Sequence, residues 1–343
     1  MQTRKRSKKI SAEACRNSRL KNNERTVGIA QDIDPILLGK KNLCYTKHKG
    51  RFLKKCPGTP GYLCCNYYTL NVQTNCNFDC QYCILQAYLN SNRLDIYTNI
   101  DKALKEVKDY LKKRPNKFYR IGTGELTDSL SIDNITNGSS TLIPFFIKQK
   151  NALLELKTKS NNINNLLKFK PKGNIVISWS LNPQKIIDQY ETGSASLSQR
   201  LEAAKKCSEL GYKIAFHLDP IILHDNWEKD YSDLIDNIFK YVNPKDIIWV
   251  SVACFRYTQN LKNVILERFP KTKIFLGEMI RCEDGKYRYI RPIRVNIYRK
   301  IITQIKNYGE NIPIYFCMES PAVWLDVFGK LPHQMENLKE IFY

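Results

Sequence analysis

Cys76, Cys80 and Cys83 fall within eight residues in the stretch NCNFDCQYCILQ (75–86), with the spacing C-x3-C-x2-C. Thiolates hold zinc and iron–sulfur clusters, and a closed site of either kind takes four ligands. Three leave one coordination position open, and an open position is where a metal centre does chemistry rather than only brace a fold. A structural zinc or cluster site completed by a fourth cysteine, such as Cys65, is the competing arrangement. Twelve cysteines in a long chain suit metal binding in a reducing compartment better than a disulfide framework. Cys56, Cys64 and Cys65 form a second group, fit for a second metal, for radical donation or for burial as small hydrophobes.

The elements around the triplet alternate. YYTLNVQ (67–73) reads as a strand and IDKALKEVKDYLKK (100–113) has helical spacing. FYRIGT (118–123), LLELKTK (153–159) and GNIVISWSL (173–181) read as strands. SLSQRLEAAKKCSELG (196–211) is a helix ending on Gly211. The strand YKIAFHLDPI (212–221), the helix SDLIDNIFKYV (232–242) and the strand DIIWVSVACF (246–255) complete the series. Six strands alternating with helices predict an α/β fold with parallel strands and right-handed crossovers. Polar motifs follow the strands: TNC, GTGE, TKS, SLN and HLDP. The C-terminal strand ends form the mouth of a β/α barrel, so this placement favours a barrel. An open doubly wound sheet is the alternative, but no Gly-rich dinucleotide fingerprint is present. His217 and Asp219 fall at the mouth, His217 as a hydrogen-bonded residue rather than a metal ligand.

Four segments follow. Residues 1–40 read as a basic, flexible arm, and 41–66 as a Cys/Pro/Gly-rich, loop-like lead-in. Residues 67–280 read as the barrel, and 281–343 as a basic β-hairpin and helix. The turn EDGK lies between two short runs. Arginines at 281, 288, 291, 294 and 299 interleave with Tyr287, Tyr289 and Tyr298. Such a hairpin can hold phosphates and stack on bases, or be a charged edge that resists aggregation.

Net charge is +22, and residues 1–55 hold sixteen Lys and Arg against four Asp and Glu. A basic arm beside a basic domain is the footprint of a polyanion partner, with DNA foremost. No apolar run approaches the ~20 residues that span a bilayer. The basic N-terminus has no apolar core of the kind a secretory signal needs. A cytoplasmic protein with no membrane partner is the expectation.

The triplet in the loop after a first barrel strand resembles the signature of radical S-adenosylmethionine enzymes. NCNFDCQYCILQAYLN, the stretch from SLNPQKIIDQYETG to HDNWEKDY, and ERFPKTKIFLGEM are similar to spore photoproduct lyases over roughly residues 41–320. The resemblance implies a partial (β/α)6 barrel. It implies a [4Fe–4S] cluster on Cys76, Cys80 and Cys83, with S-adenosylmethionine chelating the fourth iron. It implies a 5′-deoxyadenosyl radical that abstracts hydrogen from a thymine photoproduct in DNA, and an electron donor such as ferredoxin or flavodoxin. Tyr82 matches the loop tyrosine, as a cofactor or catalytic residue. Lys159, Ser180 and Asn182 match polar positions at strand ends near the cofactor. The lyases carry a hydrogen-donating cysteine after the second strand; here Glu125 stands in its place. Gly124 and Glu125, in GTGE, resemble instead a motif that binds the methionyl amine. The second loop tyrosine is Ile84. These departures keep open a peptide or small-molecule substrate. A non-catalytic, nucleic-acid-binding metal module is a third reading.

Overall fold

In a computed structural model, residues 34–171 and 173–342 are described. An eight-stranded sheet carries the fold. In spatial order its strands are Leu53–Lys55, Tyr68–Leu70, Tyr119–Gly122, Ala152–Thr158, Ile175–Ser180, Lys213–Ile221, Ile247–Cys254 and Ile314–Phe316. Spatial order equals chain order, so the sheet winds in one direction only. Seven strands run parallel, and Leu53–Lys55 pairs antiparallel on the edge.

The six expected strands are all present. The first and last of the eight extend the barrel beyond 67–280, into the segments read as lead-in and tail. Both are three residues long, too short for periodicity to register.

The sheet is curled. Arg120 Nη2 donates to Tyr315 Oη at 2.7 Å, although five strand spacings of about 4.8 Å separate their strands. A flat sheet would hold them beyond an arginine's reach. The open side is closed by the segment after Leu53–Lys55, where Leu63 N–H donates to Glu319 O at 2.9 Å. What reads in sequence as a loop-like lead-in is thus a wall of the barrel.

Helices cover the outer face. Ile100–Lys112 buries Ala103, Val107 and Leu111, a four-residue repeat that sets one stripe against the sheet. Leu197–Glu209 starts on a capping box between Ser196 and Gln199. Ile175–Ser180 is buried at all six positions, as a strand covered on both faces must be.

The inner face is polar. Glu155 sits at its centre, with Arg120 Nη2 at 2.8 Å, Ser178 Oγ at 2.8 Å and His217 Nε2 at 2.7 Å. Burial opposes ionisation of Glu155, but Arg120 and His217 outweigh it and hold its pKa far below the usual range. Burial lowers the pKa of His217 more than Glu155 raises it.

A second, three-stranded sheet of Leu43–Thr46, Leu94–Tyr97 and Gln73–Thr74 leads directly into Cys76. Residues 34–40, assigned by sequence to the arm, pack against the cysteine loop: Lys40 pairs with Asp79 at 3.2 Å, and Arg268 pairs with both Asp34 and Asp79. Residues 1–33 of the arm lie outside the described residues.

Candidate active site

The triplet loop is built by backbone and amide contacts. Asn75 takes a left-handed conformation, φ 70°, which asparagine tolerates better than most residues. Its N–H donates to Leu126 O at 2.8 Å, so the cysteine loop is tied to the residue after Glu125. Phe78 N–H donates to Cys76 Sγ at 3.4 Å. Cys83 N–H donates to Cys80 O, and Gln86 Nε2 donates to the carbonyls of Cys80 and Gln81.

Cys76, Cys80 and Cys83 line one cavity of 310 Å³ at the C-terminal ends of the strands, with Tyr82, Gly124, Glu125, Lys159 and Ser180. The donor set fits an iron–sulfur cluster: three thiols face one space and one already accepts an N–H bond. Burial, with Asp128 adding to it, pushes Cys76 up to about 12, so ligation would displace a proton from its thiol. Cys65 does not line that cavity but borders a second one, beside Arg120 and Glu155. No three His, Cys, Asp or Glu side chains among the described residues form a site for a metal ion. A cubane, by contrast, takes each thiolate at a separate iron.

Beside the triplet, Cys80 pairs across a short antiparallel bridge with Glu191. The Tyr82 hydroxyl donates to Glu191 Oε1, and Asn182 Nδ2 donates to the same oxygen at 2.9 Å. Arg200 Nη2 meets Glu191 Oε2 at 2.6 Å, with both side chains fully buried. Burial would raise the Glu191 pKa, but Lys159 and Arg200 bring it down to about 2. Arg200 also donates to Ser180 O at 2.9 Å. One buried ion pair therefore fixes the loop tyrosine and the end of the Ile175–Ser180 strand together.

The expected residues divide. Tyr82, Lys159 and Ser180 meet at the cavity, with Lys159 Nζ 5.5 Å from the Tyr82 ring centroid. Asn182 is buried behind the wall, its amide spanning Glu191 and the Tyr231 hydroxyl. Glu125 lines the cavity but already holds Lys157 Nζ at 2.8 Å. Gly124 is a close approach: a Cβ there would come within 2.7 Å of Lys157 Cβ.

Glu191, Arg200, Lys157 and Cys317 were not singled out by sequence. Only Lys157 carried a local signal, since it shares a face with Glu155 and Lys159 at strand period two.

The hairpin of Met279–Arg281 and Tyr287–Tyr289 forms at the expected turn, but its charges are largely spent. Arg288 is buried, forked onto Asp284 at 2.6 and 2.8 Å and 4.4 Å from the Tyr62 ring. Arg291 pairs with Asp326, Arg294 with Glu319, and Arg299 donates to Asp326 O. Tyr289 and Tyr298 are buried, and Tyr287 stacks on Tyr257. Of the five arginines, Arg281 and Arg299 keep exposed side chains without a carboxylate ion pair among the described residues.

A family model described as spore photoproduct lyase matches residues 63–314. The chain is 30% identical to the spore photoproduct lyase of a Geobacillus species over 265 residues, 76% of each chain. It is 30% identical to that of Bacillus subtilis over 238 residues, 68% of each. Its fold is similar to a mutant spore photoproduct lyase solved with AdoMet and dinucleoside spore photoproduct: TM-score 0.75 at 23% identity, covering 87% of this chain and 88% of that one. Streptococcus suis SuiB, solved with its precursor peptide SuiA, is a more distant likeness of fold, with TM-score 0.51 at 15% identity over 82% of this chain and 55% of that one. With 252 consecutive residues matched by the family model, and two relatives at 30% identity, the chain belongs to the spore photoproduct lyase family.

Proposed function

We propose that the protein is a radical S-adenosylmethionine enzyme acting on a thymine photoproduct in DNA. The observation that carries this is the convergence of Cys76, Cys80, Cys83, Tyr82, Lys159 and Ser180 on one cavity at the strand ends. When bound, the [4Fe–4S] cluster and S-adenosylmethionine supply a 5′-deoxyadenosyl radical that abstracts hydrogen. The chain's own residues bind and orient. Lys159 offers an ammonium to the methionyl carboxylate, Ser180 a hydroxyl to the ribose, and Glu125 a carboxylate to the methionyl amine. Tyr82 presents a ring fixed at its hydroxyl by Glu191. A low-potential carrier of the ferredoxin or flavodoxin type delivers the electron.

The test is anaerobic: reconstituted protein, a strong one-electron reductant, S-adenosylmethionine and ultraviolet-irradiated DNA. Thymine restored within the DNA strand supports the reading. 5′-Deoxyadenosine without repair moves the substrate to the peptide or small-molecule class, the reading that Glu125 in place of a thiol favours.

Glu125→Ala removes a charge-assisted contact worth about 1.5–3 kcal/mol and leaves Lys157 unpaired beside the cofactor's own positive charge. Affinity for S-adenosylmethionine then falls roughly 10- to 100-fold, with iron content unchanged. Titration calorimetry reads this, and a change under about twofold by the same conversion takes Glu125 out of cofactor contact.

Binding to duplex DNA is expected to weaken steeply with salt, the log–log slope falling by about 0.9 for each phosphate contact. Removing residues 1–25 lowers both slope and affinity. Arg281→Ala lowers the slope by about one contact, whereas Arg288→Ala disturbs the hairpin itself. Salt-independent binding in a fluorescence-anisotropy titration would sink the DNA assignment.

A further inference from the structure

Below the cofactor cavity, the barrel lumen holds a second cavity of 430 Å³. The two adjoin, since Glu125, Lys157, Asp219, Arg256 and Met318 line both. Four free thiols border the lower one. Cys56, Cys64 and Cys65 come from the segment that closes the barrel, and Cys317 follows the last strand. Arg256 Nη2 reaches Cys317 Sγ at 3.7 Å. Three lining residues, Tyr67, Arg120 and Ser251, each carry a buried polar atom with no hydrogen-bond partner. Unpaired polar atoms around a space of this size are the signature of ordered water. Burial, with Glu125 adding to it, pushes Cys56 up to about 11, and burial raises Cys65 and Cys317 as well. These sulfurs therefore hold S–H groups at neutral pH, and thiol hydrogens exchange with solvent.

Abstraction of hydrogen from a substrate leaves an unpaired electron on carbon, and product forms only when a hydrogen atom is returned. A carboxylate such as Glu125 has none to give, whereas a thiol gives one readily. We propose that the lumen cavity is the hydrogen-atom donor site of this enzyme, with Cys56, which lines that cavity together with Glu125, as the first donor. This rests on the radical reading above. In the step, the substrate radical takes hydrogen from Cys56 Sγ: a C–H bond forms, the S–H bond breaks, and a thiyl radical remains. Two such thiyl radicals, from two turnovers, take two hydrogen atoms from one molecule of a dithiol reductant, which closes to its disulfide.

The experiment uses full-length reconstituted protein in D2O with irradiated DNA and a dithiol reductant. The parent is expected to restore thymine carrying deuterium in the DNA strand. Cys56→Ser keeps the side chain's size, but its O–H bond is too strong to donate. It is expected to form 5′-deoxyadenosine in a single turnover within about twofold of the parent, while deuterated thymine falls at least about tenfold. Iron analysis gives a second readout, about four per chain in both proteins, as one cubane requires. Deuterated thymine undiminished in Cys56→Ser overturns the assignment, as does its loss in Cys317→Ser alone. About eight iron in the parent, falling to about four in Cys56→Ser, overturns it in favour of a second cluster. A parent that forms neither thymine nor 5′-deoxyadenosine overturns the function reading itself, and this inference with it.

Discussion

Replacing any one of Cys76, Cys80 or Cys83 by Ala is expected to abolish S-adenosylmethionine cleavage and strip the chain of most of its iron. Each thiol lines the same cavity, and each would hold a different corner of the cluster. A cubane anchored at two corners is exposed to loss during purification. The loop has little else to hold metal, because Cys65 faces the lumen rather than the triplet. The parent, reconstituted anaerobically, should carry about four iron and four sulfide per chain, with visible absorption that bleaches on reduction. Stoichiometric zinc with no such absorption, or cleavage surviving in all three variants, would remove the cluster from the account.

Arg200→Ala is expected to be the most destabilising change away from the cysteines. The side chains of Arg200 and Glu191 have no solvent exposure, so truncating one leaves a buried charge uncompensated, at a cost of about 3–5 kcal/mol. The damage reaches the site, because Glu191 holds the Tyr82 hydroxyl and pairs with Cys80. Urea unfolding of the metal-free chain should show the loss as a lower midpoint. The double change Glu191→Gln with Arg200→Met should recover much of it, since removing both charges removes the desolvation penalty. A pH series adds a second signature. The Glu191 pKa in the folded chain, about 2, lies below its ordinary value of 4.5. Its contribution is therefore fully present above about pH 4.5 and is lost as pH falls towards 2. Glu191→Gln should lack that part of the acid slope. An Arg200→Ala midpoint equal to the parent's would place the pair in contact with water.

Chemistry that depends on local spacing was legible in the chain itself. The triplet is three residues on one loop, and its spacing marks a candidate thiolate metal site without any knowledge of the fold. The alternation of strands and helices from 67 to 255 is set by hydrophobic period, which a window of a dozen residues contains. The hairpin turn was equally local: Gly285 supplies the positive φ, 76°, that the turn needs. Tertiary structure alone decided how charges pair across the chain. By sequence Arg288 and Arg294 could hold phosphates or form a charged edge; the fold brings Asp284 and Glu319 against them instead. Arg120 and Tyr315, 195 residues apart, meet only because the sheet curls. The same curl turns residues 56–66 from a loop into the wall of a lumen, and gathers Cys56, Cys65 and Cys317 beside Glu125. A sequence specifies which side chains exist and which face of an element each occupies. Which buried charge neutralises which, and which thiol borders which cavity, follows from closure of the barrel, where contacts between distant segments take over from spacing along the chain.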